Sequence, residues 1–107
     1  MGLIVIACYR PKPGHDAETQ ALVKEHTPIL RSQGLATDRT PIVGHSADGT
    51  IVEVFEWVSR EAIESAHTNP TVLAMWDRFG KVCDYVKLSD LKESANLFAE
   101  FGALDAA

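Results

Sequence analysis

Residues 3–9, Leu-Ile-Val-Ile-Ala-Cys-Tyr, are apolar at odd and even positions alike. A strand of that kind is buried on both faces and sits centrally in a sheet. Pro11, Pro13 and Gly14 end it. Asp16 stands where a helix cap belongs, and Asp16 and Glu18 suit the positive end of a helix that runs to about Gln33, with Gly34 as its stop. Ala21, Leu22, His26, Ile29, Leu30 and Gln33 recur at three-four spacing and form its expected inward stripe. Pro28 removes a backbone donor inside this helix, which predicts a kink near Lys24–Thr27.

A more polar strand is expected over residues 37–46, with Pro41 marking an edge or a bulge. Ala47-Asp48-Gly49 then reads as a hairpin turn. Thr50 to Val58 alternate: Ile51, Glu53, Phe55 and Trp57 share one face, and Val52, Val54 and Glu56 share the other. Ser59 caps a second helix, which breaks at Asn69-Pro70, where Asn69 can cap a new start and Pro70 suits its first turn. The second piece is expected to run to about Asp84, with Val72, Leu73, Trp76, Phe79 and Cys83 inward. Tyr85 to Leu88 make a short fourth strand. Leu97, Phe98 and Phe101 predict a short terminal helix docked on the body.

The order β-α-β-β-α-β plus a helical tail is the ferredoxin-like, α+β arrangement. Right-handed crossovers place both helices on one face of the sheet and leave the other bare. The apolar positions on both sides of residues 3–8, with Val52 and Val54 opposite Ile51 and Phe55, make that bare face too hydrophobic for a monomer. A homodimer packed through the sheet face resolves this.

The chain of 107 residues corresponds to one domain spanning 1–107. Its net charge of −5, without a Lys/Arg cluster, argues against nucleic acid as a partner. The apolar run from Leu3 to Cys8 is too short to span a bilayer and no basic residue precedes it, so a soluble, cytoplasmic protein without a membrane partner is expected. Cys8 and Cys83 lack CxxC spacing and read as two buried free thiols.

The stretch Val54-Phe55-Glu56-Trp57-Val58-Ser59-Arg60-Glu61-Ala62, followed by Ala66-His67 and Asn69-Pro70, resembles the core of antibiotic biosynthesis monooxygenase-like domains. Tyr9-Arg10-Pro11-Lys12-Pro13-Gly14 resembles the strand end and turn of the same family. The resemblance covers most of residues 2–88. It implies a dimeric α/β barrel, a superfamily that includes cofactor-independent oxygenases of aromatic polyketides, haem-degrading enzymes and muconolactone isomerase-like enzymes. Haem degraders of the superfamily carry an asparagine on the first strand, and residues 3–9 contain none.

Four histidines are candidates for chemistry. His15 and His45 belong to solvent-facing turns, whereas His26 interrupts an apolar helix face and His67 precedes a helix break. Each of the latter two can be a hydrogen-bonded structural histidine or a functional one. Glu53, if its face meets the helices, is a buried carboxylate with a raised pKa and a possible acid/base partner for a histidine; the alternative is a carboxylate paired with a basic side chain near the sheet edge. Glu56, on the opposite side, is expected to form a salt bridge across subunits. Trp57, Trp76, Phe55 and Phe79 supply either an aromatic pocket or ordinary core, with Tyr9, Tyr85 and Arg39 as donors at its rim.

Glu64-x-x-His67 has the spacing of an iron ligand pair but lacks its second pair. Gly44 to Gly49 lies in a hairpin and has the wrong spacing for a nucleophile elbow. No phosphate loop or dinucleotide fingerprint occurs. The expectation is an enzyme without metal or cofactor: His26, Glu53 and His67 are its acid/base candidates, and Trp57, Trp76 and Phe55 hold a small aromatic or conjugated carbon acid whose carbanion reacts with O2. Two alternatives stand beside it. One is a non-catalytic dimeric small-molecule-binding or stress-linked protein; the other is a proton-transfer isomerase or lyase.

Overall fold

The computed structural model describes residues 2–105. Five strands form one antiparallel sheet in the order β4-β1-β3-β2-β5. They are β1 (Leu3–Pro11), β2 (Ile42–His45), β3 (Ile51–Trp57), β4 (Cys83–Val86) and β5 (Gly102–Leu104). The helices α1 (Asp16–Ser32), α2 (Arg60–Ala66) and α3 (Pro70–Val82) complete a ferredoxin-like α+β fold. The core lies between sheet and helices, where Leu22, Leu30, Phe55, Val72, Met75 and Phe79 are buried together.

Local chemistry sets the element ends. Gly34, at φ +72°, ends α1; its N–H donates to the Arg31 carbonyl and that of Leu35 to the Leu30 carbonyl, a Schellman closure that needs the left-handed residue. Ser59 accepts from the Ala62 N–H at 3.1 Å and so starts α2. Asn69 accepts from the N–H groups of Thr71 and Val72, and Pro70 opens α3. Gly49 takes φ +88° in the hairpin between β2 and β3. There Asp48 accepts from the Ser46 hydroxyl and the Thr50 N–H, and these bonds hold its carboxyl well below the usual range, at about 2.

Several boundaries differ from the sequence expectation. His15, not Asp16, occupies the cap position of α1, where its Nδ1 meets Glu18 at 2.7 Å and Asp16 begins the first turn. The helix runs on through Pro28 to Ser32. Its buried face is shifted: Thr19, Val23 and Thr27 turn inward with Leu22, His26 and Leu30, while Ala21 and Gln33 are exposed. Burial of Thr27 is possible because its hydroxyl finds an acceptor inside, Glu53. On α3 the inward residues are Val72, Met75, Phe79 and Val82; Leu73 is exposed, and Cys83 already opens β4. Before β2 the chain meets β3 at an isolated bridge between Ala36 and Trp57, with the Thr37 N–H donating to the Glu56 carbonyl, and Arg31 donates to Thr37 O at 2.7 Å and Arg39 O at 2.6 Å.

The tail departs most. It carries two 3₁₀ turns, Leu88–Asp90 and Lys92–Ala95, and Leu97, Phe98 and Phe101 are not helical. The chain instead returns as β5 along the outer edge of β2, which satisfies backbone groups that a docked helix would leave open. Glycines permit the approach: a Cβ on Gly44 would stand 2.7 Å from the Gly102 carbonyl oxygen. Leu91 and Phe101 cover Cys8 and Val52 on the face of the sheet away from the helices. The rest of that face is open. Ile6, Val54 and Ile42 form one row across three strands, and Ile4, Ile6 and Ile42 are 54%, 46% and 71% exposed. Among the described residues no helix is long and apolar enough to cross a membrane.

Candidate functional site

Strand pairing builds the floor of the site. In register, Val5 lies opposite Phe55, Ala7 opposite Glu53, and Tyr9 opposite both Ile51 and Tyr85. All point toward the helices by alternation along each strand. Ala7 is small, so the row that contains Glu53 leaves space beneath α1 and α3. A cavity of about 320 Å3 opens there. Val5, Ala7 and Tyr9 of β1 line it, with Phe55 and Trp57 of β3 and Tyr85 of β4. His26 of α1 and Trp76 of α3 line it on the helix side.

Glu53 is completely buried. Burial of an isolated carboxylate costs several kcal/mol, about as much as many domains have to spare, so its partners decide whether the position is tolerable. Three are present. The Tyr9 hydroxyl donates to Oε1 at 2.7 Å, the Thr27 hydroxyl donates to Oε2 at 3.1 Å, and His26 Nδ1 lies 2.8 Å from Oε1. The last contact is short but its N–H direction is not aligned for a linear hydrogen bond. No lysine or arginine pairs with Glu53 among the described residues. The sheet-edge ion pair considered from sequence is therefore replaced by a buried hydroxyl and imidazole network.

His26 is 4% exposed and wedged edge-on against Phe55 and Phe79, with ring centroids 4.9 and 5.7 Å away. A carboxylate can only accept, so a hydrogen bond between the two requires the imidazole proton on Nδ1 and leaves the lone pair on Nε2. Among the described residues Nε2 has no hydrogen-bond partner, and the ring is part of the cavity wall. Tyr9 stacks on Phe79 at 5.1 Å. Burial, then the charge of Glu53, push its phenol well above the usual value, and burial pushes Tyr85 up to about 12. Both phenols thus remain donors rather than phenolates throughout the neutral range.

His26, Phe55, Trp57 and Trp76 therefore line one cavity, and Glu53 lies buried behind His26. His67 does not line it. It is exposed on the far side of Trp76, its ring 5.2 Å from the indole and its Nδ1 donating to the Ile63 carbonyl at 2.8 Å. The carbonyls freed at the end of α2 capture the ring, so the helix break gives it a structural bond instead of a place in the cavity. Arg39 is likewise elsewhere, 3.1 Å from Glu56. The Thr37 hydroxyl and Arg39 bind Glu56 within the chain and hold its carboxyl below the usual range. Thr27 lies off the inward stripe that the sequence predicts. Tyr9, expected at the rim, shares the parity of Val5 and Ala7, which puts it beside Glu53.

Cys8 and Cys83 are free and buried, and burial pushes both thiols up, Cys83 to about 11. Neither has thiolate character near neutrality. Among the described residues no cluster of three His, Cys, Asp or Glu side chains could hold a metal. A larger cavity, about 550 Å3, lies on the opposite face of the sheet between Ile6, Ile42, Val54 and the tail residues Leu88 and Phe101, but no titratable side chain lines it.

No family model and no curated protein sequence matches this chain. Its fold is similar to that of the solved structure of Rv0793 from Mycobacterium tuberculosis, with a TM-score of 0.63, 22% sequence identity, and coverage of 80% of this chain and 89% of that one. At that identity the likeness establishes the shared fold.

Proposed function

We propose that this chain is a cofactor-independent, monooxygenase-like enzyme of the antibiotic biosynthesis monooxygenase-like group, acting on a small aromatic or conjugated carbon acid. The observation that carries the proposal is His26 on the wall of an otherwise apolar cavity with Glu53 buried behind it, 2.8 Å from Nδ1. With both carboxylate oxygens engaged, Glu53 orients the imidazole and His26 Nε2 removes the substrate proton. Phe55, Trp57 and Trp76 hold the ring system and exclude water from the developing charge. The carbanion then adds O2 to give a peroxide, which the imidazolium protonates. Loss of water, with the second C–H proton returned to the base, converts CH2 and O2 to C=O and H2O. The substrate's own C–H bonds supply all the electrons.

The test uses β-tetralone, a bicyclic carbon acid, as probe. Anaerobic exchange of its acidic C–H in D2O, followed by proton NMR, reports the base; O2 uptake in air reports oxygenation. The account expects both, and His26→Asn should abolish both. Exchange without O2 uptake would favour an isomerase or lyase on the same site, a reading supported by the same pair. Ligand-stabilised melting with neither activity would favour a binding protein.

The dimer belongs to the same proposal. The open row Ile6, Val54 and Ile42 is the support for it, because a second copy packed through that face buries both rows at once by two-fold symmetry. The site itself lies within one subunit, on the helix side of the sheet. The two free thiols suit a cytoplasmic location.

A further inference from the structure

We infer that the cavity selects uncharged substrates and rejects aromatic carboxylates and phosphates of the same shape. The inference rests on the proton-transfer reading of the same site and adds the charge of its substrate. Among the described residues no lysine or arginine lines the cavity. The groups that do are aliphatic, aromatic or phenolic, apart from His26, and Glu53 stands immediately behind His26. Tyr9 and Tyr85 both hold their protons through the neutral range. The formal charge of the site is therefore set by one carboxylate and one imidazole.

That pair supplies no countercharge of the kind a lysine or arginine would, because the imidazole stands 2.8 Å from the carboxylate. An anion entering the cavity gives up part of its hydration without meeting a lysine or arginine, and the Glu53 carboxylate behind the imidazole repels it. A neutral carbon acid escapes this cost, because its charge appears only when its proton reaches Nε2. At that moment the new imidazolium lies between the substrate anion and Glu53 and attracts both. The site thus stabilises an anion it forms and excludes one that arrives already formed, as expected of an enzyme that binds the transition state better than the ground state.

The experiment compares β-naphthamide with β-naphthoate, which share a ring system and differ in charge, by calorimetric titration of the intact protein at about pH 8. A like charge held within about 10 Å in a partly desolvated site weakens binding on the order of tenfold, so the amide is expected to bind at least about tenfold tighter. Glu53→Gln should restore naphthoate binding by about tenfold while altering naphthamide by less than about threefold. The wild-type comparison stands alone if that variant fails to fold. Equal or tighter binding of naphthoate by the wild type overturns the inference, as does failure of both probes to bind. Proton exchange on β-tetralone is scored separately. Its absence beside charge-selective binding would sink the catalytic reading and leave the selectivity standing, and its presence beside tight naphthoate binding would do the reverse.

Discussion

Tyr9→Phe removes one oxygen atom from the centre of the site and little else. The ring keeps its stacking on Phe79 at 5.1 Å and its position on β1, and the volume change is small. What goes is the 2.7 Å donor to a fully buried carboxylate. A hydrogen bond to a charged group contributes about 1.5–3 kcal/mol, and leaving the acceptor short of a donor falls at the upper part of that range. Glu53 retains Thr27 and His26, so the expected loss is about 2 kcal/mol rather than the full cost of an unpaired charge. For a domain of this size that corresponds to a fall in Tm of roughly 8–15 °C. Urea unfolding at one fixed protein concentration should show a lower midpoint with an unchanged slope, the signature of a stability change without a change in exposed surface. A loss below about 0.5 kcal/mol would mean that the hydroxyl does not hold the carboxylate, and the network as drawn would be wrong.

Thr27→Val tests the other carboxylate oxygen and should cost about 1–2 kcal/mol in the same assay. His67→Ala should change turnover of β-tetralone by less than about threefold, because its ring lies outside the cavity; a loss of about a hundredfold would return it to the site. Ile42→Asp, at a position 71% exposed in the single subunit, should leave the fold intact and shift light scattering from dimer to monomer. Unchanged mass would remove that face from the interface. Asp48, held at about 2, is depressed below its unfolded value. Its contribution to stability is thus complete above about pH 4 and is lost as pH falls through about 2, so Asp48→Asn should flatten the acid limb of the stability profile over that window.

Much of this was legible along the chain because the relevant signals are local. Alternation in residues 51–57 put Glu53 on one face with Phe55 and Trp57, though not which face meets the helices, and an unbroken apolar run placed β1 inside the sheet. The caps at Ser59 and Asn69 and the turn at Gly49 needed only neighbouring residues. The failures needed partners distant in sequence. The inward shift of Thr27 follows from Glu53 on another element, which supplies the acceptor that makes a buried hydroxyl affordable. Residues 37–41 make no continuous strand: the chain touches β3 at Ala36 and Thr37, and Arg31 takes the carbonyls of Thr37 and Arg39. The tail becomes a strand because β2 has an open edge, a property of the assembled sheet. His67 misled for a related reason: a helix break provides carbonyls as readily as it lines cavities.

The account depends on one proton. If Glu53 orients His26 for base chemistry, the neutral imidazole carries its hydrogen on Nδ1, against the carboxylate, and leaves Nε2 bare toward the cavity. Long-range proton–nitrogen NMR correlation on 15N-labelled protein, at a pH where the imidazole is neutral and with His26→Asn used to assign the signals, reads this directly. The account predicts the Nδ1–H tautomer in the wild type and its loss of preference in Glu53→Gln. An Nε2–H tautomer for His26 in the wild type would leave no lone pair facing the substrate and would contradict the proposed mechanism.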